Sequence, residues 1–122
     1  APGFLIVNIL HANNTRDIKH DGEANIKTQA MLLGVKNSIS QYIILGIGAY
    51  IIIALTVVFG ILHPLCLVVF LTFPVLLKNI KQIRQADIDK PEIIKDMDAQ
   101  SAQLVMMFSL LLAVSNFIAG LL

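Results

Sequence analysis

The chain has 122 residues, of which 57% are hydrophobic and 14% are charged. Its mean hydropathy of +0.79 lies far above that of soluble domains of this length. This composition predicts a membrane protein that meets the lipid bilayer. The formal net charge of +1 says little about partners, and we expect no nucleic-acid partner. Cys66 is the single cysteine, which excludes an intrachain disulfide and leaves a small packing residue.

Apolar stretches set the order of the predicted elements. Residues 1–3 lack the order of a cleaved signal peptide, so we expect the chain to start within a helix, and residues 4–12 predict the polar end of a membrane helix. Three spans are predicted at about 42–62, 64–80 and 102–122, close to the ~20 residues that cross a hydrocarbon core. Residues 11–41 and 78–101 are the predicted polar loops. The expected fold class is an all-α, polytopic transmembrane helix bundle with three full spans and the end of a fourth.

Local signals refine these elements. Thr28 is a predicted N-cap for a helix that tolerates Gly34 and runs into the first span. Gly46 lies on a small-residue face of that span, on which another helix can pack closely. Pro64 suits the first turn of the second span, and Pro74 is expected inside that span, where it should kink the helix.

The basic residues are confined to the two polar loops. All nine Lys and Arg residues lie within 11–41 and 78–101, and the turn between the first two spans has none. If the first two spans form a hairpin, both loops lie on one side of the membrane. The positive-inside rule then places that side in the cytoplasm, or in the matrix or stroma of an organelle.

A row of polar side chains occupies the first of these loops. Asn13, Asp17 and Asp21 are spaced four apart, so a helix places them on one face with Asn14 beside them. Carboxylate and amide oxygens bind Mg²⁺, which is usually held by one or two carboxylates together with substrate phosphates. The row therefore predicts a Mg²⁺ and diphosphate site at the membrane surface.

The same spacing also fits a solvated helix end, because two carboxylates four apart often occur by accident. The neighbouring Arg16 favours the metal and diphosphate interpretation, since a guanidinium suits bidentate contact with phosphate. A second acidic group, at 87, 89, 92, 96 and 98, is interpreted differently. Asp89 and Glu92 resemble a capping box that starts a helix, and the other carboxylates alternate with lysines as a solvated face.

Residues 10–21, LHANNTRDIKHD, closely resemble the second aspartate-rich motif of the UbiA superfamily of intramembrane prenyltransferases. The NNxRDxxxD form is typical of its 1,4-dihydroxy-2-naphthoate branch, which makes menaquinone and related quinones. Thr28, Ala30 and Gly34 fit the stretch that follows the motif in that family. The resemblance implies that residues 1–122 are the C-terminal part of one prenyltransferase domain, from the end of its sixth helix to its ninth.

This resemblance implies Mg²⁺-dependent transfer of a polyprenyl group from a polyprenyl diphosphate to an aromatic quinone precursor such as 1,4-dihydroxy-2-naphthoate. Asp17 and Asp21 would be catalytic and hold the metal, with Asn13 as a further ligand. The diphosphate would contact Arg16, Lys27, Asn13 and Asn14. Ionisation would give an allylic cation that attacks the electron-rich ring.

Two departures from the family pattern concern the loop after the motif. Asn25 stands where the family usually has Gly, and Ile26 stands where bacterial members often have Lys, so Lys27 would substitute one residue later. The family's first aspartate motif is absent from these residues. The chain therefore carries half of such a site, and we expect it to be inactive by itself.

Two other functions compete with catalysis. A prenyltransferase-like bundle can serve as a non-catalytic membrane subunit with a structural or quinone-binding role in a larger complex. A transporter that uses Asp17 and Asp21 as an ion site is less favoured, because the pair lies at the polar end of its helix and away from mid-membrane.

Overall fold

The computed structural model describes residues 2–25, 27–87 and 89–122, and within them the chain is built of helices and turns without strands. The helices in chain order are α1 (Pro2–Arg16), α2 (Ile18–Glu23), α3 (Gln29–Val58), a 3-10 helix (Pro64–Thr72), α4 (Phe73–Ile83), a second 3-10 helix (Pro91–Ile94) and α5 (Met97–Leu121). Three segments of the described chain are long and apolar enough to span a membrane: Met31–Val58, Pro64–Ile83 and Glu92–Leu121. The predicted all-α membrane fold is confirmed.

Helix α3 begins well before the predicted start of the first span at Tyr42. Thr28 is its N-cap, as predicted, and the Thr28 hydroxyl accepts a hydrogen bond of 3.3 Å from the Met31 backbone N–H. Gly34 does not continue the helix, because its φ of 74° and ψ of 167° are non-helical. The prediction that the helix tolerates Gly34 is wrong. A residue without Cβ adopts this positive φ at little cost, and it kinks the helix there.

The two prolines of the second span mark helix starts. Pro64 lies in the first turn of the 3-10 helix, as predicted, where its missing N–H costs no hydrogen bond. Pro74 lies in the first turn of α4, where the 3-10 helix gives way to an α-helix. The predicted interior position of Pro74 is therefore wrong, because the backbone already changes its hydrogen-bond pattern at Phe73.

The polar loop before the last span also differs from the prediction. The capping box at Asp89 and Glu92 does not form, since the short 3-10 helix has Lys90 at its N-cap and no side-chain capping bond. Asp87 instead accepts a hydrogen bond of 2.9 Å from the Asp89 backbone N–H. The last α-helix starts at Met97, so the loop carries a turn that the sequence pattern did not indicate.

Helix α1 packs against both α3 and α5. Its buried Asn8 donates a hydrogen bond of 3.0 Å to the Tyr42 carbonyl of α3. The Tyr42 hydroxyl in turn shares a hydrogen bond of 2.7 Å with Ser101 of α5. Deeper in the core, the ring of Tyr50 meets the rings of Phe73 and Phe108 edge to face. Polar contacts thus join α1, α3 and α5, and aromatic contacts join α3, α4 and α5.

The small-residue face of α3 is confirmed at Gly46. A Cβ at this position would lie 2.6 Å from a methyl group of the fully buried Leu76 and 3.4 Å from the Asn8 amide nitrogen. Side chains from two other helices therefore reach the backbone of α3 at a position where it has no side chain. This contact holds α1 and α4 against α3 below the polar loops.

The Gly46→Val change should lower the free energy of unfolding by about 1–3 kcal/mol, because overpacking forces buried neighbours to shift. Thermal denaturation in detergent measures the effect. Gly120→Val is the matched control, since a Cβ at Gly120 meets nothing within 4 Å. Equal loss of stability in the two variants would contradict the close approach at Gly46.

Candidate functional site

The polar row lies at a break between two helices. Helix α1 ends at Arg16 and α2 begins at Ile18, with Asp17 between them at φ −95° and ψ 10°. The break keeps the helical register, because the backbone N–H of Asp17 bonds the Asn13 carbonyl at 3.1 Å and that of Asp21 bonds the Asp17 carbonyl at 2.8 Å. Asn13, Asp17 and Asp21 therefore follow one another at single-turn spacing, as predicted.

Arg16 makes the densest set of contacts in this region. Its Nε donates to one carboxylate oxygen of Asp17 at 2.8 Å, and its Nη2 donates to the other at 3.0 Å. Nη2 also bonds the side-chain oxygen of Asn13. This is the bidentate fork that suits Arg to carboxylates and phosphates. The guanidinium thus lies against the side chains of Asn13 and Asp17, two members of the row.

The other end of the guanidinium reaches the last span. Nη1 donates a hydrogen bond of 2.9 Å to the Lys95 carbonyl and lies 3.4 Å from a carboxylate oxygen of Asp98. A guanidinium has five N–H donors. Those of Arg16 face Asp17, Asn13, the Lys95 carbonyl and Asp98, so a diphosphate would have to replace one of these acceptors to contact Arg16.

The charge of Asp17 is stabilised by this arrangement. Its hydrogen bonds from Arg16 lower the pKa of the Asp17 carboxyl below its ordinary value of 3.8, and desolvation opposes that shift. The same hydrogen bonds raise the pKa of Arg16. Asp17 is therefore a carboxylate at neutral pH, which is the form that binds a metal ion.

The remaining members of the predicted site have more open surroundings. The Asp21 carboxylate and the Asn14 amide are partly exposed and make no hydrogen bond or ion pair within the described residues. Lys27 is exposed and lies beyond Asn25, whose φ of 57° places it in the left-handed region. Asn adopts this conformation more readily than most residues. Ile26 lies outside the described residues.

The second acidic group is closer to the row than the sequence indicated. Asp98 pairs with Arg16, and Asp89 pairs with Lys19 at 3.5 Å. The interpretation as a merely solvated face is wrong for Asp98, which pairs with Arg16. Asp89 was predicted as a helix cap, and its side chain is 74% exposed. Opposite charge was the only signal in the sequence for these two ion pairs. Charge alone cannot predict which residues will meet when they lie so far apart in the chain. The contacts also place both basic loops at one end of the bundle, as the hairpin of spans predicted.

His11 of α1 packs within the bundle beneath the polar row. It is buried, and its Nε2 donates a hydrogen bond of 2.8 Å to the Ser38 carbonyl of α3. One turn later, the Thr15 hydroxyl donates to the His11 carbonyl at 2.7 Å. These bonds hold the last turns of α1 directly beneath the polar row.

The donor set fits Mg²⁺ as a partial site. Asp17, Asp21 and Asn13 each have a side-chain oxygen, which is the ligand type of this hard cation. Across the described residues, no three His, Cys, Asp or Glu side chains come together as a complete metal site. The row would supply one or two carboxylates, and the remaining ligands would come from diphosphate, water or another part of the protein.

These features define an integral membrane protein whose helices carry an acidic and amide-rich row at one polar end. The UbiA prenyltransferase family matches residues 1–111. The chain therefore belongs to the UbiA prenyltransferase family. No solved structure matches it.

A stretch of 48 residues is 52% identical to the "UbiA prenyltransferase domain-containing protein 1" of Dictyostelium discoideum. This stretch is 39% of the chain and 14% of the relative. The match thus spans a small part of the relative's length, and it supports the family without defining a substrate.

The Arg16→Gln change should flatten the dependence of stability on acid. Because the folded-state pKa of Asp17 is depressed, its contribution to stability is present above the ordinary value of 3.8 and is lost as the pH falls below it. Unfolding temperatures measured between about pH 3 and pH 7 should therefore fall more steeply for the unaltered protein than for the variant. Parallel curves would contradict the stabilisation of Asp17 by Arg16.

Proposed function

We propose that the chain is the C-terminal part of an enzyme that transfers a polyprenyl group from its diphosphate to an aromatic acceptor such as 1,4-dihydroxy-2-naphthoate. Membership of the UbiA family supports prenyl transfer in general. The observation that carries the proposal further is the row of Asn13, Asp17 and Asp21, which keeps single-turn spacing at the polar end of apolar helices. The motif's NNxRDxxxD form supports the dihydroxynaphthoate branch.

The proposed reaction assigns a separate task to each part of the row. Bound Mg²⁺ would neutralise the charge that develops on the departing diphosphate. Asp17 and Asp21 would hold the metal, and Asn13 and Asn14 would complete or orient its ligands. Arg16 and Lys27 would contact diphosphate oxygens, where cationic donors stabilise the same charge.

The apolar helices beneath the row would receive the prenyl chain. An allylic cation is quenched by water, so ionisation requires surroundings from which water is excluded. The C–O bond to diphosphate would break first, and diphosphate would leave with the bonding electrons. The aromatic ring would then attack the allylic cation, and the ring carbon that forms the new carbon–carbon bond would lose its proton, or its carboxylate as carbon dioxide. We place the row on the cytoplasmic, matrix or stromal side, where the excess of Lys and Arg in the two polar loops supports it.

Replacing either aspartate of the row in the full-length protein should abolish prenyl transfer. Asp17→Asn and Asp21→Asn remove a metal-binding charge while keeping the shape, so turnover should fall by about 100-fold or more. Product formation from a prenyl diphosphate and 1,4-dihydroxy-2-naphthoate measures this. Glu23→Gln, on the same short helix and exposed, is the control. Unchanged turnover in either aspartate variant would contradict the catalytic role of the row, whereas absence of turnover in the unaltered protein would favour the non-catalytic membrane subunit.

Removal of divalent cations should have the same effect as loss of the aspartates. Excess EDTA should reduce turnover to background, and Mg²⁺ added beyond the chelator should restore it, because carboxylate and diphosphate oxygens bind this cation. Activity that persists in EDTA would reject the metal-dependent mechanism. Flux of an ion through reconstituted protein without prenyl transfer would support the transporter instead.

A further inference from the structure

Arg16 links the polar row to a helix far along the chain. We propose that Asp98, in the first turn of α5, is a positioning residue of the diphosphate site that holds Arg16 beside Asp17. This inference rests on the proposed function, because it assigns Asp98 a task in binding the same diphosphate. It adds a residue from outside the aspartate motif to the site.

The contacts divide the guanidinium between two parts of the protein. Nε and Nη2 face Asp17 and Asn13, whereas Nη1 faces Asp98 and the Lys95 carbonyl. The side chain of Arg16 is 22% exposed and that of Asp98 is 37% exposed. Both therefore lie at the solvent-facing edge of the polar row, which we call the mouth of the site. A long Arg side chain loses rotamer freedom when it binds a ligand. Anchoring Nη1 lowers this cost, because the guanidinium is already oriented.

Binding of the diphosphate requires an exchange of acceptors. Since the N–H donors of Arg16 already face protein acceptors, a diphosphate oxygen must displace at least one of them. We expect Arg16 to lose its hydrogen bonds to Asp17, because Asp17 is also the proposed metal ligand and a Mg²⁺ ion there would repel the nearby guanidinium. Asp98 and the Lys95 carbonyl then keep Arg16 at the mouth while its Nε edge turns to the diphosphate.

A purely structural role for Asp98 makes a different prediction. An acidic residue in the first helical turn interacts favourably with the helix dipole, and the Asp98 carboxylate also accepts a hydrogen bond of 2.9 Å from the Ala99 backbone N–H. Loss of this role would lower stability without changing the affinity for one substrate only. The donor and acceptor substrates therefore separate the two roles.

The experiment compares Asp98→Asn, Asp98→Glu and Asp96→Asn in the full-length protein. Asp96 is the matched control, because it lies two residues away, is exposed and makes no side-chain capping bond. The substrates are geranylgeranyl diphosphate and 1,4-dihydroxy-2-naphthoate, each varied at saturation of the other. A second readout is the rise in unfolding temperature on addition of Mg²⁺ and inorganic pyrophosphate, measured relative to each variant alone.

Asp98→Asn should raise the KM for geranylgeranyl diphosphate by up to about tenfold, because the charge that holds Nη1 of Arg16 is lost. The KM for the aromatic acceptor should not change, and the stabilisation by Mg²⁺ and pyrophosphate should shrink. Asp98→Glu should remain within about threefold of the unaltered protein, since it keeps the charge. In an Arg16→Gln background, Asp98→Asn should cause no further rise, because its partner is gone.

An unchanged donor KM in Asp98→Asn, or an equal rise in Asp96→Asn, would overturn the proposal, as would equal changes in both KM values. If Asp98→Asn does not fold, a donor KM in Asp98→Glu more than about tenfold above the unaltered protein would overturn it as well. Failure of the proposed function has a separate signature, which is full turnover in Asp17→Asn and Asp21→Asn. Loss of turnover in those variants with an unchanged donor KM in Asp98→Asn would reject the role of Asp98 alone.

Discussion

The guanidinium of Arg16 joins the end of α1 to the turn before α5 and to the first turn of α5. Its Nε and Nη2 donate hydrogen bonds to the Asp17 carboxylate, and its Nη1 contacts the Lys95 carbonyl and Asp98. This one cation thereby stabilises the negative charges of Asp17 and Asp98, which would otherwise repel each other. The turn before the last span is also held close to the helix break at Asp17. The surroundings of the row therefore depend on a contact between elements that are distant in sequence.

Beneath this mouth, buried polar groups fix the helices more specifically than apolar packing can. Asn8 and His11 of α1 donate to the carbonyls of Tyr42 and Ser38, both on α3. An unpaired polar group in hydrocarbon surroundings costs several kcal/mol, so these bonds favour one rotation of α1 over others. Apolar surfaces alone would allow many rotations, because lipid is as apolar as a leucine side chain. The row is thus carried on a helix whose orientation is defined.

The parts of the fold that follow from local rules were predicted well. The Thr28 cap depends on a hydroxyl and an N–H three residues apart, and the row depends on helical periodicity. Predictions were weaker where neighbours decide the backbone. Gly34 takes a positive φ that nothing in its own sequence demands, and Pro74 starts an α-helix because the preceding segment is a 3-10 helix.

The sequence by itself determined the membrane class, the helical spans and the row of Asn13, Asp17 and Asp21, because hydropathy and periodicity act over one to a few helical turns. Only the tertiary structure decided what surrounds the row. It brought Asp98 to Arg16 and made Asp17 a stabilised carboxylate, while the carboxylate of Asp21 stayed partly exposed. Electrostatic pairing between distant residues depends on how the helices pack, and packing in turn depends on close approaches such as the one at Gly46. No pattern along one segment contains that information.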